Sequence, residues 1–143
     1  MLYAAAEAAV IKALSLAPQH APAHMLLGAL QFCTKRAAQG IAECEHALAL
    51  NPNLAEAHAS IGVAKVYLGR AAETETHVHE ALRLSPRDEG AHRWMSWVGL
   101  AKLLLGADAE AVVWLRRSLN TSPNYPVAHF ETRRCARASR EAG

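Results

Sequence analysis

The chain has 143 residues, of which 52% are hydrophobic and 6% aromatic, and its formal net charge is +2. This length suits one domain with a continuous core, and the small net charge gives no reason to expect nucleic acid or a membrane as a partner. Cys33, Cys44 and Cys135 lack metal-type spacing, which favours a reduced, cytoplasmic chain over a secreted one. The best apolar run, 94–105, is too short to span a membrane.

The first predicted helix lies within residues 1–18 and ends in the phrase Ala-Leu-x-Leu, followed two positions later by Pro18. The same phrase returns before Pro52 and Pro86, so that the three prolines are 34 residues apart, and a degraded copy precedes Pro123. A fixed period of this length indicates a solenoid, in which each unit buries its apolar face against its neighbours. Solenoids mostly bind other molecules, so the period favours a binding function over catalysis.

Two complete units of this period follow, at 21–54 and 55–88. In the second, a helix is predicted to end at Gly69, because glycine is a natural helix terminator. Another helix is predicted from Ala71 onwards, and it is closed by Ser85 because the residue before a proline is pushed out of the α region. Two helices with a short joint predict an antiparallel helical hairpin.

The unit at 55–88 resembles a tetratricopeptide repeat, a family with a 34-residue pattern of large and small residues. Small residues stand where two helix backbones approach closely, and large ones fill the space beside them. The matching positions are Ile61, Gly62, Val78, Ala81 and Pro86. Three departures from the pattern are expected to weaken the packing without changing the class: His58, Lys65 and Thr74.

The resemblance implies an all-α fold, a right-handed α-solenoid of about seven or eight helices, over a single array at 1–143. A third repeat aligns if three residues are inserted near Arg87, and its first helix is predicted to end at Gly106. The predicted parts are the second helix of a partial repeat at 1–18, repeats at 21–54, 55–88 and 89–125, and a partial or aberrant terminal helix at 126–143. A missing first helix leaves an apolar face open at 1–18, which suggests a fragment of a longer array or self-association.

The repeat pattern fails after Phe130, where Thr132 and Arg133 replace the large and small residues that a repeat needs. One interpretation is a basic capping helix that faces solvent. The other is a frameshift, because moving the reading frame of a suitable GC-rich gene by one base restores a good repeat helix. The codons of residues 131–143 distinguish the two interpretations.

Three histidines recur at one position of the repeat, and packing at the edge of the core explains them better than metal ligation: His24, His58 and His129. Glu43, Cys44 and His46 lie close together in the sequence but form a weak site at best. No nucleophile, base and orienting acid can be argued together, and no glycine-rich phosphate loop is present. We therefore expect no metal, no cofactor and no enzymatic activity.

The resemblance implies that the first helix of each repeat lines a concave groove. On this basis we predict a mostly apolar peptide-binding face, made by these residues: Met25, Ala29, Phe32, Glu56, Ala59, Val63, Val66, Tyr67, Arg93, Ser96, Leu100, Leu103 and Leu104. A subset of the family uses Lys and Asn on this face to hold the C-terminal carboxylate of chaperones. Those residues are absent here, so no chaperone-tail clamp is expected, and some of these side chains could simply pack helix against helix.

The predicted function is a non-enzymatic scaffold that binds an apolar helix or peptide of a protein partner in this groove. The phrases Ser85-Pro86-Arg87-Asp88 and Asn124-Tyr125-Pro126 resemble arrays attached to bacterial nucleotide cyclases and winged-helix regulators, which suggests a module of a larger signalling protein. The alternative is a homo-oligomer that associates through exposed repeat ends. Dependence of the oligomeric state on concentration separates the two hypotheses.

Overall fold

Eight α-helices follow one another along residues 2–141, the part of the chain that the computed structural model describes. These residues contain no β-strand, and the predicted all-α solenoid of helix pairs is confirmed. The helices are α1 (Leu2–Leu16), α2 (Ala21–Cys33), α3 (Ala37–Leu50), α4 (Ala55–Tyr67), α5 (Thr74–Leu84), α6 (Ala91–Leu104), α7 (Asp108–Thr121) and α8 (Pro126–Glu141). A 3-10 turn, Ala71–Glu73, leads into α5.

The predicted helix ends after α4 and α6 are confirmed by the backbone. Gly69 and Gly106 have positive φ angles of 73° and 74°, a conformation that glycine adopts without a steric penalty. The chain can therefore reverse within a few residues and return as the second helix of a pair. The connection 85–90 before α6 is longer than the connections 17–20 and 51–54 that precede α2 and α4.

Small residues let the two helices of a pair approach closely. In the pair α2–α3, a Cβ atom placed on Gly28 would lie 2.7 Å from the carbonyl oxygen of Gly40. In the pair α4–α5, Gly62 faces Thr74, which is fully buried and whose Oγ1 donates a 2.8 Å hydrogen bond to the carbonyl oxygen of Gly62. The expectation that Thr74 weakens the packing overlooked this acceptor on the neighbouring helix.

The even-numbered helices form one layer of the solenoid. Helix α4 contacts both α2 and α6, and α6 also contacts α8, whereas within residues 2–141 the odd-numbered helices touch only even-numbered ones. Helices that approach one another on one side and separate on the other produce a curved array. The inner surface of the curve is therefore built by α2, α4, α6 and α8, as the sequence resemblance implied for the first three.

The terminal helix α8 continues to Glu141, although the repeat pattern fails after Phe130. It contacts α7 and α6 through buried Ala128 and Cys135. Glu131 is also buried and pairs with Arg134 at 3.2 Å. Residues 142–143, the end of the predicted basic segment, lie outside the described residues.

None of the helices within residues 2–141 combines the length and the apolar character needed to cross a membrane.

Candidate peptide-binding groove

A cleft of about 250 Å³ lies on the inner surface where α2, α4 and α6 meet. We call this cleft the groove. Its lining residues are Ala29, Phe32, Cys33, Glu56, Ser60, Val63, Tyr67, Arg93 and Trp97. Most of these side chains are apolar or aromatic, and Tyr67 keeps 66% of its surface exposed. The groove therefore presents an accessible apolar surface with few charges.

The groove brings together six of the thirteen predicted binding residues: Ala29, Phe32, Glu56, Val63, Tyr67 and Arg93. Leu104 is 59% exposed and lies on the same helical stripe of α6 as Arg93 and Leu100, because these residues are spaced by about two and three turns. Val66 and Leu100 are half-buried and are not among the lining residues of the groove. The binding role of all these residues remains a prediction.

Four predicted residues are engaged in packing. Ala59 is fully buried in the core around Trp94, and Ser96 is 2% exposed, with its Oγ donating to the carbonyl oxygen of Arg93. Met25 packs against the core between α3 and α4, and Leu103 packs against the core between α7 and α8. Ala59 and Ser96 offer a ligand almost no surface.

Trp97 and Ser60 line the groove but were missed in the sequence, although Ser60, at 3% exposed, offers a ligand as little surface as Ser96. Helical spacing could have found both, since Ser60 is one turn from Glu56 and from Val63, and Trp97 is one turn from Arg93. The family pattern assigns contacts by position in the repeat and passes over these two. Trp97 adds an indole ring of α6 to the groove.

The charged residues of the groove neutralise each other. Oε2 of Glu56 accepts a 2.6 Å hydrogen bond from Nε1 of Trp94 and lies 3.5 Å from Nη2 of Arg93. Burial raises the pKa of Glu56 above its usual value, and it outweighs the hydrogen bond from Trp94 and the charge of Arg93, which lower the pKa. A ligand therefore meets an internally satisfied acid and base rather than a free charge.

A second cavity, of about 770 Å³, continues the groove past the end of α4. We call it the side crevice. It shares Phe32, Cys33 and Tyr67 with the groove and adds residues 35–39 and Leu68. Arg36 at its edge makes a bidentate ion pair with Glu7 of α1, at 2.9 and 2.6 Å, so its charge is also compensated. An occupant of the groove could extend into this crevice across the three residues that the two cavities share.

The recurring histidines lie at helix starts. Nε2 of His24 is 2.8 Å from the carbonyl oxygen of Pro18, and Nε2 of His129 is 2.7 Å from that of Pro123. Each bond ties the first turn of an inner helix to the preceding connection, which supports the structural interpretation of these positions. His24 also contacts Glu43 and His46, and these three side chains could hold a metal ion.

Solved structures show that the chain has the fold of tetratricopeptide-repeat domains. PilF of Pseudomonas aeruginosa gives a TM-score of 0.83 at 23% identity, over 97% of this chain and 62% of its own. A thermophilic TPR protein of Thermus thermophilus gives a TM-score of 0.80 at 18% identity, and the match covers 94% of this chain and 73% of that protein's chain. The first TPR of Spaghetti (RPAP3), bound to the HSP90 peptide SRMEEVD, gives a TM-score of 0.75 at 22% identity. The match covers 84% of this chain and 93% of that chain.

The sequence itself matches no protein-family model and none of the curated proteins with which it was compared. The identification thus concerns the architecture, a helical-repeat solenoid of the tetratricopeptide type.

Proposed function

We propose that this protein is a non-enzymatic protein-interaction scaffold, and that its groove binds an apolar peptide segment of a partner, as a helix or as an extended strand. The observation that carries the proposal is the aromatic and aliphatic lining of the groove, in which Phe32, Tyr67 and Trp97 come from three successive inner helices. Aromatic anchors in a concave surface are typical of the residues that dominate binding energy.

Charge favours an apolar occupant over an acidic one. Arg93 is the cation within the groove, and Glu56 already lies against it. An acidic peptide such as the SRMEEVD ligand of the Spaghetti structure would have to compete with Glu56 and would meet its negative charge. An apolar segment meets no such cost, because it leaves the pair of Glu56 and Arg93 intact. The bacterial regulatory context remains a prediction from the sequence.

A randomised peptide library displayed on phage tests the proposal with the full chain as bait. We expect selected peptides to be enriched in Leu, Phe, Trp and Met, and to bind the protein in a fluorescence-anisotropy titration. Tyr67→Glu and Leu104→Glu, two exposed positions, should each weaken this binding by about tenfold or more.

The matched control is Val113→Glu, which places the same charge on the exposed face of α7, where 57% of Val113 is accessible. It should leave peptide affinity within about twofold of the wild type, a change of less than about 0.5 kcal/mol. Selected peptides that bind all three variants equally, or a selection without apolar enrichment, would contradict the proposal. Circular dichroism of each variant verifies that the helices are retained.

The exposed apolar side chains of α1 favour a second candidate function, self-association. Leu2 and Leu16 are each 81% exposed, and Ile11 is 52% exposed. Burying such a surface between two copies would release ordered water and stabilise an oligomer. Light scattering over a concentration series should then show a mass that falls on dilution, and Ile11→Lys should shift the protein to the monomer while Val113→Lys does not. A dilution-independent monomer would exclude this candidate.

A further inference from the structure

Three metal-ligating side chains converge between α2 and α3, and none of them lines the groove. Nδ1 of His24 lies 2.8 Å from Oε2 of Glu43, and the centroid of the His46 ring lies 4.0 Å from that of His24, with the ring planes tilted by 37°. One ligand atom from each of the three residues lies within 4.8 Å of the other two. Within residues 2–141, this is the one group of three or more such residues that meets this distance.

We propose that His24, Glu43 and His46 form a binding site for a divalent transition-metal ion of the zinc class. Two imidazoles and one carboxylate are a ligand set that zinc and its neighbours in the first row accept, with the remaining position open to water. Glu43 and His46 are three residues apart on α3, so they lie on one face of that helix, and His24 reaches the same point from α2.

The hydrogen bonds of His24 prepare the ring for an ion. Its Nε2 donates to the carbonyl oxygen of Pro18, which fixes the ring orientation and directs Nδ1 toward Glu43. Both ring nitrogens of His24 thus face oxygen acceptors, and Nδ1 is the nitrogen that points toward Glu43. An ion that binds at Nδ1 would take the place of a proton on that atom, which would be released to water, and the carboxylate of Glu43 would then act as a second ligand.

Burial gives the site a rigid floor and an open entrance. The side chain of His24 is 9% exposed and that of Glu43 is 28% exposed, whereas His46 lies at the surface. Cys44, next to Glu43 in the sequence, is fully buried in the core. Its thiol packs in the core between α3 and α4 and is not one of the three converging ligand groups.

The next repeat supplies an internal comparison. His58, His77 and Glu80 stand one period of 34 residues after the three proposed ligands, with the types of the last two exchanged. Their ligand atoms do not all lie within 4.8 Å of one another. Glu80 instead accepts hydrogen bonds of 2.9 and 2.6 Å from Arg83. The same residue types therefore occur twice, but the structure brings them together once.

Isothermal titration of the chelator-treated full chain with zinc chloride tests the site. We expect one ion per chain, and His46→Ala and Glu43→Gln should each weaken zinc affinity by about tenfold or more. His58→Ala and Glu80→Gln, the matched variants of the next repeat, should leave it within about twofold. His46 is exposed, so its removal leaves the buried core between α2 and α3 intact, although it removes the ring contact with His24.

A second titration with cobalt chloride makes the ligands visible, because imidazole nitrogens and reduced coordination intensify the visible absorption bands of cobalt. These bands should appear with the wild type and with His58→Ala and be lost with His46→Ala. Zinc binding that is unchanged by both His46→Ala and Glu43→Gln would overturn the proposal. The absence of zinc binding to the wild type, or one ion shared between two chains, would also overturn the proposal. In each of these cases the geometry would be explained by a simple ion pair of His24 and Glu43.

Discussion

Nε1 of Trp94 donates a 2.6 Å hydrogen bond to Oε2 of Glu56, and this bond joins the inner helices α6 and α4 beneath the groove. Trp94 is fully buried, so its N–H depends on this acceptor, and Glu56 in turn is withdrawn from solvent by the packing around the indole. The bond orders the floor of the groove and at the same time places a carboxylate where its charge is disfavoured.

Glu56→Gln should change the pH dependence of stability. Because burial raises the pKa of Glu56 in the folded state, its contribution to stability is fully present below the unfolded pKa and is lost as the pH rises through the folded pKa. The amide accepts the Trp94 hydrogen bond without titrating. The free energy of unfolding of Glu56→Gln, measured by urea denaturation, should therefore increase relative to that of the wild type as the pH rises from acid to neutral.

Glu80→Gln is the control for that experiment, since its hydrogen bond and charge interaction with Arg83 lower the pKa of Glu80. That carboxylate stabilises the fold above the unfolded pKa, and its contribution disappears as the pH falls through the folded pKa. The free energy of unfolding of Glu80→Gln should therefore decrease relative to that of the wild type as the pH rises from acid to neutral. Equal pH profiles for the two variants would contradict the electrostatic assignment of Glu56.

Thr74→Val should lower the free energy of unfolding by about 1 kcal/mol, because it removes the hydrogen bond from Thr74 to the Gly62 carbonyl while keeping the side-chain shape. Thr132→Val provides the comparison, since Oγ1 of Thr132 bonds to Ala128 within its own helix. Its effect should stay within about 0.5 kcal/mol. Thermal and chemical denaturation measure both, and equal losses would show that the bond between α4 and α5 has no special weight.

Gln31→Met should raise the free energy of unfolding by about 1 kcal/mol. Gln31 is 8% exposed, and its Oε1 is buried without a hydrogen-bond partner in the described part of the chain. Methionine has a similar length and no polar atom to leave unsatisfied, and burying an unpaired amide oxygen costs about 1–3 kcal/mol. The gain should appear in urea denaturation as a higher midpoint, with an unchanged dependence of the unfolding free energy on urea concentration. A loss of stability would indicate that Oε1 of Gln31 is paired in solution.

Gly28→Ala should be more destabilising than Gly62→Ala, although both glycines occupy the same position of the repeat. A Cβ at Gly28 would lie 2.7 Å from a backbone oxygen that cannot move aside, and this overpacking should cost about 2 kcal/mol. At Gly62 the nearest atoms are 3.1 and 3.2 Å away, so the strain is offset by the higher helix propensity of alanine, about 1 kcal/mol. A reversed order in denaturation experiments would contradict this packing.

The fold could be predicted from the sequence because individual glycine and proline residues determine where the helices of each repeat end. Gly69 and Gly106 require a left-handed turn, and Pro86 prevents Ser85 from continuing a helix, so the ends of helices can be located without tertiary information. A fixed period then implies that each hairpin meets the next in the same way.

The site could be predicted only in part, because exposure depends on how far each helix rotates against its neighbours. The repeat pattern places Ala59 and Ser96 on the inner face, yet the core around Trp94 encloses Ala59, and Ser96 turns its hydroxyl back to its own helix. Likewise, no spacing in the sequence relates His24 to Glu43, since their contact arises from the register of two antiparallel helices.

Phe32 lines both the groove and the side crevice, and its ring rests where a side chain on Gly40 would otherwise stand. A wall of the proposed recognition surface is thus held in place by an empty position on the helix behind it. Substitutions at Gly40 would reshape the ligand surface without touching a ligand. The packing of α2 against α3 and the ligand selectivity of the groove therefore depend on the same position, and a change in one alters the other.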